Sequence, residues 1–67
     1  MIIEGVVVSF DENRGDGVVR DDSGQDFYFH CVRIADGSRL IEIGATVRAR
    51  RVVGLRGRDE AADVVKL

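Results

Sequence analysis

From Ile2 to Phe10 the chain reads Ile-Ile-Glu-Gly-Val-Val-Val-Ser-Phe, and this β-branched run predicts a first strand. The polar segment Asp11-Glu12-Asn13-Arg14-Gly15 predicts a turn, and Gly17 to Arg20 a second strand. Asp21-Asp22-Ser23-Gly24 is a strong turn signal, because glycine tolerates positive φ and aspartate caps its own turn. Gln25 to Cys31 predicts a third strand. Its period of two puts Phe27 and Phe29 on one face and Tyr28 and His30 on the other. The phenylalanine side is the candidate core, and the tyrosine–histidine side is a wet face with aromatic character.

Residues 32–45 are less regular. Asp36-Gly37-Ser38 and Gly44 interrupt them, a short helical turn fits Val32 to Ile34, and Ile34, Leu40, Ile41 and Ile43 are candidates to cap one end of the core. Thr46 to Val53 predicts a fourth strand, Gly54-Leu55-Arg56-Gly57-Arg58 a hairpin-like loop, and Ala61 to Leu67 a fifth strand. The acidic pairs Asp11-Glu12, Asp21-Asp22 and Asp59-Glu60 are expected in turns. Short strands with one longer connection after the third suit a small closed barrel, since closure removes exposed edges.

At 67 residues the chain is expected to be a single domain spanning 1–67, with a thin core. A hydrophobic fraction of 45% argues against disorder, and eight glycines without any proline suit strands joined by turns. The net charge of −2 lacks the bulk basic signature of many nucleic-acid binders. The charge is unevenly spread, however. Arg48, Arg50, Arg51, Arg56 and Arg58 fall in one short stretch, while Asp11, Glu12, Asp16, Asp21, Asp22 and Asp26 crowd the first half. A local patch binds phosphate even on an acidic chain. Nine of the ten basic residues are arginine, which pairs bidentately with phosphate and stacks on bases.

The single Cys31 excludes an intrachain disulfide framework and fits a reducing cytoplasm, so a cytoplasmic setting is expected. No run approaches the ~18 apolar residues of a membrane span, and the start lacks the form of a signal peptide. No membrane partner is therefore expected. His30 and Cys31 are neighbours that face opposite sides, a poor catalytic dyad and a poor metal site. Gly15-Asp16-Gly17 lacks the phosphate-loop pattern. A small barrel has a filled interior, without a pocket in which carboxylates converge. No enzymatic activity, metal or cofactor is expected.

Two segments carry a family resemblance. The first reads Gly5-Val6-Val7-Val8-Ser9-Phe10-Asp11-Glu12-Asn13-Arg14-Gly15-Asp16-Gly17-Val18-Val19, and the second Asp26-Phe27-Tyr28-Phe29-His30-Cys31 with Ile34 beyond it. With Gly37, Ile41, Gly44 and Val47 at matching spacing after a one-residue shortening, and Gly54, Arg56 and Gly57 followed, after one extra residue, by Ala61, Ala62 and Val64, the chain resembles the bacterial cold-shock domain over nearly its whole length. The resemblance implies an all-β, five-stranded antiparallel OB-fold barrel. It also implies binding of single-stranded RNA or DNA by base stacking, in the manner of an RNA chaperone or a regulator of transcription or translation.

The site the resemblance implies comprises Phe10, Tyr28 and His30 as stacking groups and Arg14 and Arg56 as basic contacts. Arg48 and Arg50, which share a face of the fourth strand, are further phosphate candidates. Arg51 falls where the family buries an apolar residue. Either a bulge turns it outward, or its stem lies along the core with the guanidinium in solvent. Other positions depart from the family. Ser9 replaces a tryptophan, and Asp16, Val18, Cys31 and Ser38 replace phenylalanines. Stacking is worth ~1–3 kcal/mol per base, so weak, salt-dependent binding of low sequence preference is expected. Asp16 is expected to place a repelling charge within the platform. Phe27 and Phe29 are larger, and Ala49 smaller, than the family's usual residues, a compensated core. The alternative is a protein-interaction or homodimerising module, with Val6, Val8 and Val18 as an outward apolar patch.

Overall fold

In the computed structural model, which describes residues 1–54 and 57–67, the segments predicted as strands form β1 (Ile2–Asp11), β2 (Asp16–Asp21), β3 (Asp26–His30), β4 (Thr46–Val53) and β5 (Asp59–Lys66). A short 3₁₀ turn, Cys31–Arg33, follows β3 where the sequence predicts a helical turn. The strands close into a barrel in the order β1-β2-β3-β5-β4. β5 begins two residues earlier than its pattern predicts, so Asp59 and Glu60 lie in a strand and not in a turn. No helix among the described residues is long and apolar enough to cross a membrane.

Four pairings are antiparallel, as expected. The closing pair, β3 with β5, is parallel, with Tyr28 opposite Glu60. Directions explain this. Strands in a closed ring cannot alternate all the way round when their number is odd, so at least one pair must run the same way. A parallel pair needs a long connection, and the chain from Cys31 through β4 supplies it.

The core holds Phe27 and Phe29, both fully buried, with Val7, Val19, Val47 and Val64 around them. Each phenylalanine contributes roughly 1.5–3 kcal/mol by burial. Ala49 and Ala61 are the small residues of the same cluster, which keeps the volume of a narrow barrel filled without strain. Ile34 and Ile41 complete the core, whereas Leu40 and Ile43, also candidates to cap it, are exposed. Hydrogen bonds from Ala35 N to Val64 O and from Gly44 N to Val7 O pin the connection at its two ends.

Two irregularities set the faces. In β1, Val7 pairs with Val19 and Ser9 with Val18, so Val8 is a bulge residue. In β5 the register slips between the partners of Arg48 and Arg50, and Asp63 in the slipped segment has φ +53. Arg51 lies outside that slip. It pairs with Ala61, its side chain is 38% exposed, and its guanidinium reaches Asp59 at 2.7 Å. The Arg51 guanidinium thus ends at the surface, as both expected arrangements have it. Gly5 is paired on both sides, with Asp21 and with Val47. A Cβ there would run into the carbonyl oxygen of Arg20, so only glycine permits this approach of β1 to β2.

Asp36 ties the connection to the end of β5. Its carboxylate accepts from Ser38 N at 2.9 Å and lies 3.2 Å from Lys66 Nζ. These contacts, the Ser38 hydrogen bond foremost, lower its pKa from 3.8 to about 2. A carboxyl more acidic in the folded state stabilises the fold above its unfolded pKa and loses that contribution as pH falls through the folded value. Stability is therefore expected to decline between about pH 4 and pH 2. Thermal melts across that window should show a shallower decline for Asp36→Asn. Equal slopes for the two proteins would refute the assignment.

Candidate functional site

The register assembles the outer face of the meander. Ser9, Val18 and Tyr28 stand side by side across β1, β2 and β3, and Glu60 of β5 lies beyond Tyr28. Asp11, Asp16 and His30 form the adjoining row. As its two-residue period predicts, β3 buries Phe27 and Phe29 and turns Tyr28 and His30 outward.

Tyr28 is held from three directions. Its hydroxyl donates to Asp16 Oδ2 at 2.7 Å. The His30 ring meets it edge-on, with centroids 6.3 Å apart at 71°. The guanidinium carbon of Arg58 lies 4.0 Å above the ring centroid, a cation–π contact. Asp16 Oδ1 in turn accepts from Arg14 Nε at 3.2 Å and Nη2 at 2.9 Å. Arg58 Nη2 is 3.8 Å from Glu60 Oε2. Gly54 leaves room for that carboxylate, because a Cβ at Gly54 would collide with it.

Charge states follow from these contacts. The hydrogen bond from Arg14, then that from Tyr28, holds Asp16 below the usual carboxylate range. Donation to Asp16, then burial, raises the Tyr28 phenol. Asp16 is thus an anion with its acceptors engaged, and it is the one buried polar residue among those described. The open, repelling charge expected from the sequence is instead sunk and paired.

The ion pairs are layered here. Arg14 is 70% exposed over an Asp16 that is 11% exposed, and Arg58 is 59% exposed over a Glu60 at 20%. Both cations face solvent and both anions lie beneath. The β4 arginines are arranged differently. Arg48 and Glu4 are exposed alike, at 55% and 53%, and Arg50 pairs at 2.9 Å with a still more exposed Asp63.

The sequence candidates divide accordingly. Arg14, Tyr28 and His30 come together. Arg48 and Arg50 do not join them, since β4 is bordered by β1 and β5 and both side chains engage carboxylates there. Phe10 also leaves the face. Uninterrupted alternation from Ile3, Gly5 and Val7 would point it outward, but the bulge at Val8 reverses it. Its ring stacks on Phe29 at 6.0 Å and packs half-buried on the core. It still borders a cavity of about 250 Å³ with Ser9, Arg14, Val18, Tyr28 and Ile43. Arg56 lies outside the described residues. Arg58 and Glu60 were missed as site residues, because only the parallel β3–β5 pairing brings them to Tyr28. No group of three or more histidine, cysteine and acidic side chains able to hold a metal occurs among the described residues.

The class defined by these strands is the OB-fold barrel of the cold-shock-domain type. Among solved structures the chain is similar to Drosophila Unr CSD456, a cold-shock-domain protein, with 26% identity and a TM-score of 0.81. The match covers 100% of this chain and 27% of that one, so the chain spans about a quarter of its length. No protein-family model matches the sequence. No curated protein matches it either.

Proposed function

We propose that this chain binds single-stranded RNA or DNA on the outer face of β2, β3 and the start of β5, as a divergent cold-shock-type RNA chaperone or regulator in the cytoplasm. The layered ion pairs carry this reading. A chain of net charge −2 meets phosphate here through Arg14 and Arg58, whose counter-charges Asp16 and Glu60 are withdrawn below them. Tyr28 and His30 supply the aromatic ground beside them. The likeness to a cold-shock-domain structure supports the same function. The dimerising alternative rested on an apolar patch that the fold reduces. Val6 is exposed, while Val8 sits in the bulge and Val18 is half-buried between its neighbours.

Titration of a fluorescent oligothymidine at low salt tests the proposal. Binding should be weak and salt-dependent, with log K falling by about 0.7 per neutralised phosphate for each tenfold rise in salt. Tyr28→Ala should weaken it roughly 5- to 100-fold, through the loss of the ring that underlies the face. No binding at high micromolar protein would sink the proposal.

A further inference from the structure

The ring of Tyr28 is not bare. Its hydroxyl is held by Asp16, its flank by His30, and its face by Arg58. Arg58 is also within 3.8 Å of the Glu60 carboxylate, which occupies the space that Gly54 leaves, yet it remains 59% exposed. The guanidinium therefore lies between the phenol ring and solvent, its carbon 4.0 Å from the ring centroid. A nucleobase approaching this face meets Arg58 before it meets Tyr28.

We propose that Arg58 is a stacking plate of the site: an unpaired base lies on the solvent side of its guanidinium, which sits over Tyr28 and beside Glu60. This rests on the nucleic-acid reading above and deepens it. The chemistry favours retention of Arg58 over its displacement. Guanidinium planes stack on bases as aromatic rings do. Their N–H donors lie in the plane and point outward, toward the phosphates flanking a stacked base. Displacing Arg58 would forfeit the contact with the ring and the ion pair together. Retaining it keeps both and adds a base above. Lysine cannot substitute, because an ammonium carries the charge without the plane.

The experiment compares wild type, Arg58→Ala, Arg58→Lys and Tyr28→Ala in the same oligothymidine titration, with circular dichroism confirming that each is folded. Arg58→Ala should bind about tenfold more weakly, and Arg58→Lys should stay close to Arg58→Ala. In the wild-type complex, nuclear Overhauser contacts should join a thymine methyl to the δ-protons of Arg58. Unchanged or tighter binding by Arg58→Ala would overturn the proposal. Full recovery in Arg58→Lys would too, since charge alone would then suffice. So would thymine contacts to the face of the Tyr28 ring, which would mean that the base displaces Arg58. If Tyr28→Ala weakens binding in any of these cases, the nucleic-acid reading stands without this role for Arg58. If wild type does not bind, that reading falls and this inference with it.

Discussion

Replacing Phe29 with alanine is expected to leave the chain largely unfolded at 25 °C. Phe29 is fully buried, and its ring supports the half-buried Phe10 at 6.0 Å. Removing a buried phenylalanine costs about 3–5 kcal/mol, and the lost aromatic pair adds about 0.5–1.5. A domain of this length has a total stability of only roughly 3–10 kcal/mol. The cavity cannot collapse easily, because the wall around it is a closed, hydrogen-bonded sheet. Far-ultraviolet circular dichroism and urea titration are the measurements. A cooperative transition lowered by only a few degrees would contradict the assignment of Phe29 to the centre of the core. Phe29→Leu, which keeps most of the volume, should fold with an intermediate loss and provide the scale.

Gly5→Ala is expected to lower the melting temperature by roughly 5–20 °C, through ~1–3 kcal/mol of overpacking. The added methyl would meet the carbonyl oxygen of Arg20, which is main chain and has no rotamer by which to retreat. β1 cannot yield either, since Gly5 is paired with β2 on one side and β4 on the other. The substitution would force the two strands apart at the point where β1 passes between its neighbours. A melting temperature within two degrees or so of wild type would show that the sheet has slack at Gly5 that the structure does not display.

The parts of the fold that depend on local pattern were legible in the sequence. Phe27 and Phe29 alternate with Tyr28 and His30 over five residues without interruption, and the sheet follows that alternation. β4 also keeps its predicted bounds, Thr46–Val53. What was not legible lay across an irregularity. The resemblance puts Phe10 on the face, and a single extra residue at Val8 turns it toward the core. Nothing in Val6-Val7-Val8 marks which valine bulges. The site was half legible. Arg14 lies near Asp16 in sequence and pairs with it, but Arg58 reaches Tyr28 only through a pairing between strands far apart in the chain. The sign of Asp16 was plain from its residue type, and its effect was not, because a carboxylate engaged by an arginine and a phenol is no longer a free charge.

The same-direction seam between β3 and β5 has a mechanical meaning. It is laced by one main-chain register pair, against five or more along each of the other seams. Side chains act as stitches where rungs are few: Gln25 reaches across to Asp59 at 2.8 Å, and Arg58 lies over Tyr28 at 4.0 Å. The weakest join of the cylinder and the proposed recognition surface are thus one place, so whatever clamps onto that surface would also tighten the hoop.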